Sequence, residues 1–269
     1  MFYGEQDYEK AIEYADLGLE TLSAERECPQ ITGRLTYHKA NCFYHLDRKA
    51  QAYKHVIETQ QVCEQTQDFK TLLLGYNLEG IIVAHQQLYA QAVDVFQKAI
   101  HLSSQHFPDP RIGSLLYLNL GDTYYRDKAY EQSLAYYDLA YELSQKAKDK
   151  NILATIYFSY GEVYFATNQL GLATEYVEKA AALKEQMELT SEYLPLLLLR
   201  AKIALGENSD EVKAICEEGI RLAEQSMLYS KKKEFHLVLA NYYEQVGNED
   251  ALQRETKNMY QVESIINGR

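Results

Sequence analysis

The sequence predicts an all-α fold, a right-handed superhelical solenoid of about six and a half helix hairpins with a period of about 40 residues. Three observations predict it. Gly and Pro are scarce, 13 and 4 among 269 residues, which favours long helices. Apolar residues recur three and four positions apart, as on a helix with one buried face. Small residues also return at steps of 39 to 41 residues, and a fixed period is typical of a solenoid. They are Ala40, Gly80, Gly121, Gly161, Ala201 and Ala240.

Each repeat is predicted to be two helices joined by a short polar turn. In the repeat of Gly80, the second helix carries a stripe of Ala92, Phe96 and Ala99. The small residue of the first helix lets the second helix approach closely, and the large ring of the stripe fills the space beside the crossing. In the last repeat the same spacing from Ala240 predicts a buried stripe of Leu252, Thr256 and Met259.

The repeats are less regular at the two ends of the chain. Ala11, Ala15 and Gly18 match a second helix whose partner would precede Met1. We therefore expect residues 1–26 to be a partial repeat or a capping helix, with an N-terminal segment missing before it. Residues 27–269 are expected to form one solenoid domain.

Composition excludes several classes of function. With 27 basic and 39 acidic residues, the formal net charge is −12, so direct contact with nucleic acid is not expected. There is no run of 18 apolar residues to cross a membrane. Four cysteines without paired spacing indicate reduced thiols in the cytoplasm. The sequence has neither a Gly-rich phosphate loop nor a spacing typical of a nucleophile and its base, so we expect no cofactor and no enzymatic activity.

One constellation could suggest a metal site. His38, Cys42 and His45 lie at helical spacing on one face, and Zn²⁺ accepts such ligands. A single straight helix seldom brings three ligands together, however, and no fourth is apparent. The prediction is therefore no metal, with Cys42 serving in packing.

The first helices are expected to line a concave groove. Positions three before, one after and four after each small residue share one helix face. In the first three full repeats these positions carry Tyr37, Asn41, Tyr44, Asn77, Ile81, Ala84, Leu118, Asp122 and Tyr125. In the last three they carry Phe158, Glu162, Phe165, Leu198, Lys202, Leu205, Leu237, Asn241 and Glu244. Arg34, Asn119 and Arg126 lie beside this face. Asn can pair with a peptide backbone through both donor and acceptor, and aromatic rings bind apolar side chains.

The repeat pattern resembles the tetratricopeptide repeat over nearly the whole chain, and most specifically at Gly80, Gly121 and Gly161. That family has an aromatic residue, Leu-Gly and Tyr in the first helix, and Ala and Phe in the second. Two departures are a period of 40 instead of about 34 residues and the absence of Trp.

The long period and the groove asparagines are similar to those of the peptide-pheromone receptors of Gram-positive bacteria, of the Rap, NprR and PlcR type. The resemblance implies a non-catalytic domain that holds a short peptide, as the sensor part of a peptide-responsive transcriptional regulator. It also implies that asparagines grip the peptide backbone: Asn41, Asn77, Asn119 and Asn241. Supporting contacts would come from Arg34, Tyr37, Asp122, Tyr125, Arg126, Glu162 and Lys202, with Tyr44 on the same face.

Two alternative functions and the oligomeric state stay open. A general scaffold for an extended protein segment fits the same repeats. A carboxylate clamp of the co-chaperone type needs basic residues at positions that are apolar here, for example Leu115. The resembled receptors form dimers, so a homodimer is expected through residues near the C-terminus: Tyr242, Tyr243, Met259 and Tyr260.

Overall fold

The computed structural model describes residues 5–25, 28–185 and 190–267, and all regular structure in these ranges is helical. The chain divides into two compact units, residues 1–149 and 150–269. The first unit holds α1 (Glu5–Glu25), α2 (Pro29–His45), α3 (Lys49–Thr66), α4 (Phe69–His85), α5 (Tyr89–His106), α6 (Pro110–Arg126) and α7 (Tyr130–Ala147). Here α1 packs on α2, and the hairpins are α2–α3, α4–α5 and α6–α7.

The second unit also consists of hairpins. Its helices are α8 (Lys150–Ala166), α9 (Leu170–Glu185), α10 (Thr190–Gly206), α11 (Val212–Gln225), α12 (Tyr229–Gln245) and α13 (Glu249–Ile266). They pair in sequence order as α8–α9, α10–α11 and α12–α13. The predicted fold class and the number of hairpins are therefore confirmed for the described part of the chain.

The small residues of the first helices mark close helix crossings. A Cβ atom built on Gly80 would lie 2.5 Å from the Phe96 ring, and one on Gly121 would lie 2.5 Å from the Tyr137 ring. Both rings are fully buried. In these two hairpins the second helix therefore packs so close that only a hydrogen atom fits on the first helix, as the alternation of small and large residues predicted.

The extra length of the 40-residue period lies in the helices. In the first unit the first helices of the hairpins have 17 residues and the second helices have 18. The turns stay short, with three residues between α6 and α7. The long period thus gives each hairpin a longer packed face, since every helix residue adds about 1.5 Å.

Every hairpin turn contains one residue in the left-handed region at the same register. These residues are Asp47, Gln87, Lys128, Asn168, Asn208 and Gly247, with φ between 54° and 70°. Around Lys128, its own N–H bonds the carbonyl of Tyr125 and the N–H of Ala129 bonds the carbonyl of Tyr124. This Schellman pattern closes the last turn of a helix, and only Gly247 adopts it without a Cβ penalty.

The last hairpin departs from the predicted register. The predicted stripe residue Thr256 is exposed, and Leu252 and Met259 are only half-buried. The structure buries Ala251, Glu255 and Val262 instead, so the stripe prediction was wrong by one position. The reason is a polar contact that the spacing rule ignores: Glu255 Oε2 lies 2.7 Å from Nδ1 of His236, and both side chains are buried.

The high tyrosine content has a structural explanation. In the first unit, Tyr136 stacks on Tyr124 with ring centroids 5.2 Å apart and on Tyr117 at 6.3 Å. In the second unit, Tyr176 stacks on Tyr164 at 5.4 Å and packs against Tyr157 at 6.0 Å. The two sets are 40 residues apart in sequence, so the same stack of half-buried tyrosines recurs in two hairpins of a chain without Trp.

The cysteines are free thiols, with Cys28 exposed and the other three buried. Burial raises the pKa of Cys63 to about 11 and that of Cys216 to about 12. No helix in the described ranges is both long and apolar enough to cross a membrane.

Candidate functional site

The first helices of three consecutive hairpins in the first unit enclose a cavity of about 200 Å³. We call it the first-helix cavity. Residues of α2, α4 and α6 form its walls, and the ring of Phe96 from α5 also lines it. Its lining residues are Tyr44, Ile81, Ala84, His85, Phe96, Asn119, Asp122, Thr123 and Arg126.

The repeat geometry explains how these side chains meet. Tyr44, Ala84 and Arg126 each lie four or five residues after the small residue of their own first helix, Ala40, Gly80 and Gly121. Equivalent positions on neighbouring first helices fall side by side when hairpins stack in register. The cavity therefore opens at the C-terminal ends of α2, α4 and α6.

A polar network connects the walls. The Tyr44 hydroxyl lies 3.3 Å from Nε2 of His85, which joins α2 to α4. The Asn119 side-chain amide donates to Oδ1 of Asn77 over 2.8 Å, which joins α6 to α4. The Tyr137 hydroxyl donates to Oδ1 of Asp122 over 2.7 Å. These bonds hold the polar wall groups in fixed positions.

Positive charge dominates the field at the Tyr44–His85 contact. His85 lies at the rim of the cavity. Partial desolvation of its ring lowers its pKa, and the charges of Arg126 and Lys49 lower this pKa further. Burial raises the pKa of Tyr44, while Arg126 and Lys49 oppose that shift. Asp47 acts in the opposite sense on both groups. His85 is therefore neutral at pH 7 and offers one donor and one acceptor.

Four of the predicted site residues come together in the first-helix cavity: Tyr44, Asn119, Asp122 and Arg126. They are accompanied by Ile81 and Ala84, which the predicted groove face also contained. Asn77 lies behind the wall, buried, with its Oδ1 accepting from Asn119. Asn77 therefore positions Asn119 and does not line the cavity.

The other predicted residues of the first unit lie outside the lining. Arg34 forms an ion pair of 3.1 Å with Asp68, the N-cap of α4. Asn41 and Tyr37 are half-buried on α2, and burial raises the pKa of Tyr37. Tyr125 packs against Tyr130 with ring centroids 5.9 Å apart.

Three predicted residues belong to the second unit. Glu162 on α8 and Lys202 on α10 are half-buried, and Asn241 on α12 is exposed. The cavities described in this unit are lined by other residues, around Arg200 and Glu207 in one case and Leu237 and Met259 in the other. Of the candidate dimer residues, Tyr243 is buried in the core of this unit and is not available for a contact, whereas Tyr260 is exposed.

Sequence reasoning missed His85, Thr123 and Phe96. His85 follows Ala84, one position beyond the predicted groove face, and its role depends on the Tyr44 hydroxyl of another hairpin. The signal that could have found it is its register, since His85 and Arg126 both lie five residues after a glycine. Phe96 was assigned to the core stripe, and it also lines the cavity.

A metal site finds no support in the side-chain arrangement. Among the residues that the structure describes, no group of three or more His, Cys, Asp or Glu side chains could hold a metal ion. Cys42 is buried and packs in the core around Ala40 and Phe43. The ring of His45 stacks on Tyr8 with centroids 5.0 Å apart.

A larger cavity of about 290 Å³ lies between α5, α7 and the start of α6. Its walls are mainly apolar, with Ile100, Leu139 and Leu143 among the lining residues. The smaller first-helix cavity has more polar groups aimed into a confined space, and such convergence is typical of a ligand site.

Comparison with known proteins identifies the fold. A family model described as tetratricopeptide repeat matches residues 112–186. No curated protein sequence matches the chain significantly. The crystal structure of apo RapI is similar with a TM-score of 0.75 and 14% identity, over 98% of this chain and 94% of RapI.

Two further solved structures are similar over 97% of this chain. One is the Rap conjugation gene regulator of plasmid pLS20 in complex with the Phr* peptide, with a TM-score of 0.71, 15% identity and 71% of that protein covered. The other is the apo quorum sensor NprR from B. thuringiensis, with a TM-score of 0.63, 13% identity and 89% covered. The resemblance to Rap- and NprR-type proteins is thus confirmed at the level of the fold.

Proposed function

We propose that this chain is a non-catalytic tetratricopeptide-repeat domain that binds a short peptide on the face formed by its first helices. The observation that carries the proposal is the first-helix cavity, where Tyr44, His85, Asn119 and Arg126 from three successive first helices converge. It combines an apolar wall with donors and acceptors, as peptide recognition requires.

The similar structures support this proposal. One of them, the pLS20 regulator, is a complex with a peptide, and another is a quorum sensor. A fully extended heptapeptide reaches about 25 Å, so it extends well beyond a cavity of about 200 Å³. We propose that only one or two peptide residues enter the first-helix cavity, while the rest contact neighbouring first helices. Asn41, Tyr37 and Tyr125 on those helices remain candidate contacts in the first unit. Glu162, Lys202 and Asn241 remain candidate contacts in the second unit, taken by itself.

The finer assignment follows from the same likeness. We propose a cytoplasmic sensor of a bacterial transcriptional regulator, which acts as a homodimer and makes no nucleic-acid contact itself. The four free cysteines are consistent with a reducing compartment. Tyr260, with a relative exposure of 74%, and half-buried Tyr242 are the remaining aromatic candidates for a dimer contact.

The direct test is a binding screen. Labelled peptides of five to seven residues, pooled by position, are titrated with the chain and followed by fluorescence anisotropy. The variant Tyr44→Ala removes a ring from the cavity wall, and Tyr14→Ala removes an exposed ring of α1 as the matched control. We expect Tyr44→Ala to weaken binding about tenfold or more and Tyr14→Ala to leave it unchanged.

Two results would contradict the proposal. Either no peptide pool binds, or the selected peptides bind wild type and Tyr44→Ala with the same Kd. Thermal unfolding of each variant shows whether the fold is intact, and bound peptide should raise the Tm of wild type by mass action.

A general scaffold for a protein segment is the second candidate. The apolar cavity of about 290 Å³ between α5, α6 and α7 favours it, because apolar pockets accept side chains of an extended partner. Leu139 in that cavity is 40% exposed. A peptide whose binding is abolished by Leu139→Glu and is insensitive to Tyr44→Ala would support the scaffold.

A further inference from the structure

The rim of the first-helix cavity carries a positive charge without an acidic partner. Arg126 lines the cavity and is exposed. In the part of the chain that the structure describes, the ion pairs include none for Arg126, whereas Arg34 and Arg111 each have a carboxylate within 3.1 Å. The Arg126 guanidinium therefore has its donors available for a ligand.

The other polar groups of the cavity have partners within the protein. Asp122 accepts from the Tyr137 hydroxyl. The Asn119 amide donates to Asn77, and the Thr123 hydroxyl donates to the carbonyl of Asn119 over 2.8 Å. Asp122 also lines the cavity one helical turn before Arg126, yet no ion pair joins the two among the described residues.

The surroundings reinforce this charge. Lys49 and Arg126 both lower the pKa of His85 and that of Tyr44, as nearby positive charges do, and Asp47 offsets this lowering only in part. Lys49 itself lies 3.0 Å from Asp47. This local excess of positive charge occurs in a chain with a formal net charge of −12, so it is not a consequence of overall composition.

The volume limits the occupant. About 200 Å³ is below the range of about 300–1,000 Å³ that is usual for sites of drug-sized ligands. A single side chain or one end of a peptide fits, with the apolar side chains of Ile81 and Ala84 available for its methylene groups.

We infer that the first-helix cavity binds a carboxylate of the peptide, with the Arg126 guanidinium donating to its two oxygens and the Tyr44–His85 pair beside it. A bidentate Arg–carboxylate pair is stronger than hydrogen bonds between neutral groups, because the planar guanidinium donates to both oxygens at once. The carboxylate belongs either to an Asp or Glu side chain or to the C-terminus of the peptide. This inference rests on the proposed peptide-binding function and adds the chemical class that the cavity selects.

The test uses the peptides selected in the binding screen, in four forms. The C-terminus is free or amidated, and the acidic side chains are kept or replaced by Asn and Gln. Each form is titrated against wild type, Arg126→Gln and Arg126→Lys, at low and at high salt. The matched control is Arg221→Gln, because Arg221 is exposed on α11 and bonds only Gln225 among the described residues.

We expect one of the two carboxylate removals to weaken binding to wild type about tenfold or more. The same removal should change binding to Arg126→Gln by less than about twofold, as in a double-mutant cycle. For Arg126→Lys, the effect of removing the carboxylate should lie between the effects for wild type and for Arg126→Gln. Lys keeps the positive charge but loses the two parallel donors of the guanidinium. Amidation and side-chain replacement distinguish the two sources of the carboxylate.

Other outcomes overturn the inference. If all four forms bind wild type equally, or if the carboxylate dependence persists in Arg126→Gln, the inference is wrong while peptide binding stands. If Arg221→Gln weakens binding as much as Arg126→Gln does, the effect is general charge and the inference is also wrong. If no peptide binds at all, both proposals fail.

Discussion

The Asn119 side-chain amide donates a hydrogen bond to Oδ1 of Asn77 over 2.8 Å, and this bond joins the first helices of two successive hairpins. Asn77 is buried, with 7% of its surface exposed. One asparagine therefore serves as a fixed support for the other, and the pair sets the position of the Asn119 side chain at the cavity.

Replacing Asn119 should destabilise the protein. Asn119→Ala leaves a buried acceptor on Asn77 without its donor, which costs about 1–3 kcal/mol. Urea unfolding measures this difference, and Asn241→Ala on an exposed position should change the free energy of unfolding by less than about 0.5 kcal/mol. Equal effects of the two variants would show that the Asn77–Asn119 bond contributes nothing to stability.

Adding a side chain at Gly121 should also destabilise the protein. The Cβ of Gly121→Ala would lie 2.5 Å from Tyr137, whose ring is 1% exposed and has no free space. Overpacking of this kind costs about 1–3 kcal/mol, and Gly121→Leu costs more. The matched control is Gly171→Ala in α9, where nothing apart from the adjoining residues and the backbone of α9 itself lies within 4 Å of the new Cβ.

Thermal unfolding should separate the two alanine variants. Gly171→Ala should leave the stability unchanged or raise it by up to about 1 kcal/mol, because Ala favours helix over Gly. A Gly121→Ala protein as stable as wild type would contradict the close crossing of α6 and α7.

Two substitutions in the hairpin turns should change the stability in opposite directions. Lys128 has a φ of 62° and Gly247 a φ of 70° at equivalent places in their hairpins. Lys128→Gly should stabilise the chain by up to about 1 kcal/mol, because the left-handed region strains a residue with a Cβ. Gly247→Ala should destabilise it by about 1 kcal/mol. Denaturant midpoints measure both, and changes of the same sign would argue against left-handed turns.

Stability should decrease as the pH falls below the ordinary pKa of a histidine side chain, about 6.5. The folded-state pKa of His85 is lowered by partial burial and by Arg126, and that of His45 by burial. The unfolded chain therefore binds protons first, at about pH 6.5, and the folded state loses stability until the pH reaches the lower folded values.

Urea midpoints at about pH 7.5 and about pH 5.5 measure this dependence. We expect His85→Gln to reduce the drop between them, and His101→Gln on an exposed site of α5 to leave it as in wild type. A drop of the same size in the His85→Gln protein would show that His85 does not contribute.

Thiol labelling should distinguish Cys28 from the other cysteines. Cys28 is exposed, whereas Cys42, Cys63 and Cys216 are buried, and burial raises the pKa of each of these three thiols. Because thiolates are the reactive form, a maleimide should label one thiol in the folded chain and four after denaturation. Rapid labelling of a folded Cys28→Ser protein would contradict this assignment.

The hairpin order could be predicted from sequence because it depends on local spacing. The small residue of Gly121 and the ring of Tyr137 are 16 residues apart within one hairpin, and that distance recurs from Gly80 to Phe96. A pattern of this kind identifies both helices and their contacting faces without knowledge of the rest of the chain.

What the sequence could not predict depends on partners in other elements. The rotation of α13 follows from the contact of Glu255 with His236 on α12, and no periodicity rule contains that pair. His85 in the cavity needs Tyr44 from the preceding hairpin. Asn77 was assigned a ligand role, and its burial depends on how closely α4 and α6 pack.

The left-handed residue stands at a fixed place in each hairpin turn, so the length of the turn is fixed too. Insertions should therefore be tolerated unevenly along the chain. One residue added between Gly121 and Ser133 would rotate the second helix by about 100° relative to its stripe, turning Tyr137 away from the glycine. One residue added at Phe107–Asp109, between hairpins, would leave both adjoining hairpins with their own internal spacing. Length variation among natural versions of this chain should therefore accumulate at the links and avoid the turns.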